Sequence, residues 1–362
     1  MEQRKYQEAI EEIGGLALSF LQDMERALEE FHIRELPRYQ QPIREKYPDL
    51  WLQAQDRLSR LSPPPELASL HQLLLEACAH LKNSCEIFSH PYPSEGYIDC
   101  IRGAYHEVCW AKCYLYQLRT FLPGFRTYWV TEEARDRLDQ IEVAPHPSLQ
   151  VPVGLLFKDW DDQQTRYALY VPEYYDPQRS WPLIVCLHGG GGRDDDIIWL
   201  WLKHAKSQGF LLVAPKSIDM TWMPKDAYYI LKVIQEIRSF YQIEEQGIFL
   251  TGVSDGGTFT YEVGMRNPHL FAGLAPVSGG MMPWFDFEKA RHLPIYILHG
   301  ARDTVISVDF ARQARGILEN FGNPLVYREL PDWGHAIPFQ EMGHIRAWFE
   351  QILREKELQS NL

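Results

Sequence analysis

The 362 residues, 45% of them apolar and 13% aromatic, exceed one average domain and are enough to fill two cores. A net charge of −13 provides no basic field to neutralise phosphates, which makes nucleic acid and anionic membrane surfaces poor candidate partners. The opening residues Met1-Glu2-Gln3-Arg4-Lys5 lack the apolar core of a leader, and runs such as Gly15 to Leu21 fall short of the roughly 20 residues of a membrane span, so a cytoplasmic protein without a membrane span is expected.

Residues 1 to about 135 read as helical, with Pro37, Pro48, Pro63-Pro64-Pro65, Pro91, Pro93 and Pro123 as punctuation between four long segments. Ile13, Phe20, Met24, Leu28 and Phe31 form an apolar stripe on the first segment. Leu67, Leu70, Leu74, Cys78, Leu81, Cys85 and Phe88 form another on the third. Short links between such segments predict an antiparallel four-helix bundle over residues 1–140, which is also a candidate self-association element. His71, His80 and His106 read as core or surface histidines. Cys109 and Cys113 are four apart, but no second pair completes a zinc site. The six cysteines read as reduced thiols, and neither a metal nor a cofactor is expected.

From about residue 148 the pattern changes to short apolar runs alternating with helical stretches, which predicts an α/β domain over 141–362 with a mostly parallel sheet covered on both faces. Strands are expected at 166–171, 182–187, 210–214, 247–251, 273–276, 294–298 and 325–329. Helices are expected near 195–208, 225–242, 255–266, 308–321 and 339–354.

Four of the turns at strand ends carry chemistry. Gly252-Val253-Ser254-Asp255-Gly256 follows the strand Ile248-Phe249-Leu250 and precedes a helix. A sharp strand-to-helix turn lifts the Ser254 hydroxyl clear of the sheet, and the flanking glycines let strand and helix approach without Cβ clashes. Leu187-His188-Gly189-Gly190-Gly191-Gly192 can aim backbone N–H groups at a developing oxyanion, joined by the N–H of Asp255. A phosphate loop is disfavoured there, because no G-x-x-x-x-G-K-[ST] is present and Arg193 and Asp194-Asp195-Asp196 follow instead. In His299-Gly300-Ala301-Arg302-Asp303, Asp303 is the candidate acid, with Asp332 as its competitor. In Asp332-Trp333-Gly334-His335, His335 is the candidate general base. The order Ser254, Asp303, His335, each ending a separate strand, is that of a nucleophile–acid–base triad on such a sheet.

On these four motifs, residues from about 150 to 354 resemble the phospholipase/carboxylesterase branch of the α/β hydrolases, akin to dienelactone-hydrolase-like and feruloyl-esterase-like enzymes. The resemblance implies a serine ester hydrolase and puts one oxyanion N–H on Gly190, with Gly191 beside it as a further candidate. Dienelactone hydrolases proper use cysteine where this chain has Ser254, and the helical leader has no counterpart in the minimal fold. The expected function is hydrolysis of a soluble short-chain or aryl ester through an acyl-serine intermediate. Thioesterase or peptidase activity on the same triad, and a non-catalytic binding protein on a hydrolase scaffold, are the alternatives. Trp222, Met281, Met282, Trp284 and Trp333 are candidates for the substrate pocket. Asp194 to Asp196 read either as acids near its mouth or as a helix N-terminus.

Overall fold

The structure, a computed structural model, describes residues 2–30, 32–93, 96–144, 149–159 and 165–360, so Phe31 of the first stripe lies outside it. The chain forms two compact units, Met1–Arg135 and Asp136–Leu362.

The first unit consists of α1 (Glu2–Glu30), α2 (Leu36–Lys46), α3 (Pro48–Ser59), α4 (Ala68–Ser89), α5 (Tyr97–Gln117) and the short α6 (Phe125–Tyr128). The expected second segment is therefore two helices. Pro48 stands at the first position of α3, where its missing N–H costs nothing and its ring prevents α2 from running on. The stripes face the core as expected: Ile13, Phe20, Met24 and Leu28 of α1 and Leu74, Cys78, Leu81, Cys85 and Phe88 of α4 are all buried. Phe20 meets Tyr47 and Trp51 edge to face at 4.9 and 5.5 Å. The buried Lys112 ammonium lies 2.7 Å from Glu25 Oε1, which also accepts from the Tyr128 hydroxyl at 2.6 Å. His71 bonds Tyr6 at 3.1 Å and His80 bonds Glu107 at 2.8 Å. Burial pushes the Cys78 thiol up to about 12 and those of Cys85 and Cys100 up to about 11, which keeps them protonated and unreactive.

The second unit begins with α7 (Leu138–Ile141). Contacts made by its leading segment explain why the division falls at Arg135/Asp136 rather than at 140. Arg137 donates to the Ser207 carbonyl at 3.0 Å. Glu142 and Glu173 flank the fully buried Lys206 ammonium at 3.2 and 2.8 Å, an ionic cluster whose charges compensate each other away from water.

Its strands are β1 (Gly154–Asp159), β2 (Arg166–Val171), β3 (Trp181–Leu187), β4 (Leu211–Pro215), β5 (Ile243–Val253), β6 (Gly273–Val277), β7 (Ile295–Gly300) and β8 (Leu325–Leu330). The longer helices are α8 (Asp194–Gln208), α9 (Pro224–Phe240), α10 (Asp255–Arg266), α12 (Val308–Phe321) and α13 (Met342–Ser360), with the single turn α11 at Phe287–Ala290. Among the described residues the sheet order is β1-β2-β4-β3-β5-β6-β7-β8. The pairs β1·β2 and β2·β4 are antiparallel and the rest are parallel. The central strands are apolar runs because helices cover both of their faces. The strand β1, absent from the expected set, is an edge strand of alternating exposure, and such a segment lacks the continuous apolar signal.

The carboxyl ends of β3, β5, β7 and β8 all point to one edge, so the four sequence motifs emerge together there. Asp194 and Asp195 do not line a mouth. They open α8 buried and pair with Arg166 of β2 at 2.7 and 2.8 Å. Burial pushes the Asp194 carboxyl up to about 6, with Arg166 opposing and Asp195 adding to the rise.

His204 of α8 is buried against Trp201, and neither of its ring nitrogens has a hydrogen-bond partner among the described residues. Burial, and then the cations of Lys203 and Arg346, push its pKa down to about 3. The stability gained from holding this ring neutral is complete above the unfolded value of ~6.5. It is lost as pH falls towards about 3, at about 1.4 kcal/mol per pH unit. Asp194 acts in the opposite sense, since its raised pKa costs stability as pH rises from ~3.9 towards its folded value. A comparison with His204→Leu isolates the histidine: between pH 7 and pH 5 the variant is expected to gain about 2 kcal/mol relative to the parent. Parallel denaturant titrations at the two pH values check this, and an unchanged difference would mean that the ring is not held neutral.

Candidate active site

Ser254 sits between β5 and α10 with φ 60 and ψ −118. This conformation is costly for any residue with a Cβ, by about 1–3 kcal/mol, and such strain persists only where the surroundings enforce it. They do so here through close backbone packing. A Cβ on Gly252 would come 2.3 Å from the Gly256 oxygen, and one on Gly256 would come 2.4 Å from the Leu187 oxygen and 2.5 Å from that of His188. The Ser254 N–H donates to Val277 at 2.8 Å, tying the turn to β6. Gly256→Ala is therefore expected to cost about 1–3 kcal/mol through overpacking and to slow serine labelling by a fluorophosphonate about 100-fold through displacement of the turn. Thermal melts and labelling rates test the two effects separately.

The Ser254 hydroxyl lies 2.9 Å from His335 Nε2, and His335 Nδ1 lies 2.7 Å from Asp303 Oδ2. A carboxylate only accepts, so Nδ1 carries the hydrogen and Nε2 is left as the acceptor for the serine proton. Asp303 Oδ1 accepts the N–H groups of Val305 and Ile306 at 2.8 and 2.9 Å. Burial pushes the Asp303 carboxyl up, but hydrogen bonds from His299, His335 and the Ile306 N–H outweigh it and hold the group far below the usual carboxylate range. It is ionised at any working pH. Asp332 is exposed and pairs with Arg302 at 3.2 Å, so it does not serve His335. The acid and histidine loops approach closely because residue 300 is glycine: a Cβ there would lie 2.5 Å from the oxygens of both Trp333 and Gly334.

Of the three candidate oxyanion donors, two have no hydrogen-bond acceptor among the described residues. Asp255 opens α10, where an N–H has no intrahelical partner. Gly190 packs against it, its Cβ position 3.8 Å from that of Asp255, and its N–H has no hydrogen bond among the described residues. Gly191 departs from the expectation. It turns back with φ 68 and donates its N–H to the Met220 carbonyl at 2.6 Å, so that donor is consumed.

This bond belongs to a strap, residues 217–223, that holds the glycine loop and the serine turn together. His188 keeps its Nδ1 2.7 Å from the Gly189 oxygen, and its Nε2 accepts from the Ser217 N–H at 3.0 Å. The Trp222 indole donates to the His188 carbonyl at 2.8 Å, and the Trp222 N–H donates to Asp255 Oδ2 at 2.9 Å. Trp222, expected in the pocket, is thus buried and stacked on Phe259. Met281 is likewise a buried part of the core. Both are buried, and the Trp222 indole is spent on the His188 carbonyl. Trp284 is 64% exposed, Trp333 and Met282 are half-buried, and Met220 and Met223 of the strap are exposed. The strap and the latch residue His188 were not expected from the sequence, although His188 sits within the glycine motif.

The family model for phospholipase/carboxylesterase matches residues 223–353, which span the serine turn, the acid and the histidine. The second unit has the fold and the motif order of the α/β hydrolases. Among its relatives, a bifunctional acetylxylan esterase/xylanase of Neocallimastix patriciarum is 31% identical over 164 residues, covering 42% of this chain and 23% of that one. Feruloyl esterase C of Emericella nidulans is 28% identical over 156 residues, covering 40% and 56%. The chain thus spans about half the length of the feruloyl esterase and under a quarter of the bifunctional enzyme. A solved thermostable esterase aligns at 23% identity and a TM-score of 0.45, covering 57% of this chain and 61% of that one. Among the described residues no helix is long and apolar enough to cross a membrane.

Proposed function

We propose that the chain is a serine carboxylic ester hydrolase acting on short-chain or aryl esters. The observation that carries this reading is the continuous hydrogen-bond chain from Ser254 through His335 to Asp303, built on a strained turn beside the N–H groups of Gly190 and Asp255. In the proposed reaction His335 Nε2 takes the hydroxyl proton as Ser254 Oγ attacks the ester carbonyl. The oxyanion is met by the N–H groups of Gly190 and Asp255, a class of interaction worth about 10²–10³ in rate per donor. Asp303 stabilises the imidazolium, which then returns the proton to the departing alkoxide. Water, deprotonated by the same imidazole, attacks the acyl-serine, and the acid is released as the imidazolium returns its proton to the departing Ser254 Oγ.

The short-chain and aryl classes follow the names of the acetylxylan and feruloyl esterase relatives, and the exposed Met220, Met223 and Trp284 offer apolar surface on loops at the same sheet edge. Turnover of p-nitrophenyl acetate and butyrate, with matched thioesters and anilides, tests the reading. Esters are expected to be the fastest. A folded protein that turns over none of them and resists fluorophosphonate labelling would favour a binding role on a hydrolase scaffold. The helical unit is proposed as a self-association element, to be tested by light scattering of the full chain. The cytoplasm is the proposed location, in keeping with buried, protonated thiols.

A further inference from the structure

A second histidine lies beneath Asp303, and none of the steps above uses it. The His299 side chain, at the end of β7, is fully buried. Its Nε2 lies 2.9 Å from the Ile306 carbonyl and 3.4 Å from Asp303 Oδ2. A carbonyl oxygen only accepts, so Nε2 carries the hydrogen, while Nδ1 has no partner among the described residues. Ile306 in turn donates its own N–H to Asp303 Oδ1 at 2.9 Å. The rigid strand therefore grips the carbonyl of the residue whose N–H fixes the acid, and the loop between Gly300 and Ser307 is closed onto β7 around Asp303.

We propose that His299 is a positioning residue for the acid, holding the Asp303 carboxylate in the orientation that accepts the His335 Nδ1–H. The other groups facing it are His335, from the loop after β8, and Glu329, opposite it on β8. The Glu329 carboxylate is occupied by Arg312 of α12 at 2.6 and 3.1 Å.

Loss of the His299 N–H has two opposed effects on the His335–Asp303 pair. Freeing Oδ2 from a competing donor strengthens its bond to His335, whereas loosening Ile306 weakens it. At 3.4 Å the competing contact is too long to be a strong hydrogen bond, whereas the 2.9 Å bond to Ile306 has good length. Loosening wins. The catalytic imidazolium then has a less well-placed carboxylate, and the acid limb of the kcat/KM profile moves to lower pH.

In the full chain, His299→Met removes the donor at similar length, whereas His299→Gln keeps an amide N–H near the position of Nε2. The expected result for His299→Met is a fall in kcat of about 10- to 100-fold with KM little changed, and an acid limb lower by about half a pH unit. His299→Gln is expected to recover most of the rate and the position of the limb. Should His299→Met fail to fold, His299→Asn, whose shorter amide stops short of the Ile306 carbonyl, is read in the same way. A folded donor-less variant with an unmoved acid limb would overturn the proposal, since lost packing alone lowers stability without shifting that limb.

The proposal rests on the hydrolase reading, so a second arm needs no turnover: the far-downfield proton signal of the His335–Asp303 hydrogen bond. It is expected in the parent and in His299→Gln, and broadened or lost in His299→Met. An inactive parent that shows this pattern would sink the hydrolase reading and leave the positioning role standing. A signal that persists in His299→Met would overturn the positioning role.

Discussion

Replacing Ser254 by alanine is expected to lower p-nitrophenyl acetate turnover by about 10⁴-fold or more and to abolish fluorophosphonate labelling, with the fold retained. The hydroxyl is the atom 2.9 Å from His335 Nε2, and no substitute nucleophile shares that position in the turn. The backbone at φ 60 is as strained with alanine as with serine, so the melting temperature should hardly change. Ser254→Gly removes the Cβ that makes this φ costly and is expected to raise stability by about 1–2 kcal/mol while being equally inactive. A hydrolase that gave up stability to place its nucleophile would show this pair of results. Turnover that survives in Ser254→Ala would mean that another residue attacks.

The second large effect is expected from Asp303→Asn, and the structure dictates how the new amide must sit. The position of Oδ1 accepts two backbone N–H groups, from Val305 and Ile306, so only the amide oxygen can occupy it. The amide NH₂ then faces His335 and donates to Nδ1. The imidazole is forced into the Nε2–H tautomer, which cannot accept the serine proton. A fall in kcat/KM of about 10⁴-fold is expected at neutral pH, the size seen when a triad acid is neutralised in this way. The same NH₂ faces the His299 N–H at the former Oδ2, a donor-to-donor contact that should also lower the melting temperature. Rates near those of the parent in Asp303→Asn would show that tautomer control does not limit turnover.

The parallel strands were legible because a strand buried on both faces must be an apolar run, as in β3, β4, β6 and β7. The antiparallel edge strand β1 was not, since an edge needs only one buried face. The residues of the serine turn were legible for a similar reason. Glycines at 252 and 256 answer a steric demand that is local in sequence, a chain reversal around Ser254. The division at Pro48 was also written locally, but a reading in four long segments does not separate α2 from α3 there.

The choice between Asp303 and Asp332 could be argued from loop geometry alone, but the contacts that decide it join β7 to the loop after β8. The same holds for Gly191 and Trp222. Gly191 looked like its neighbour until its N–H met Met220, and Trp222 looked like pocket lining until its indole met His188. By itself the sequence determined which residue types stand at the strand ends and in what order, because turn sterics and strand hydrophobicity act over a few residues. Only the tertiary structure decided which N–H groups remain for a substrate and which are spent on the scaffold. Each backbone donor serves a single strong bond, and its acceptor here comes from a loop distant in the chain.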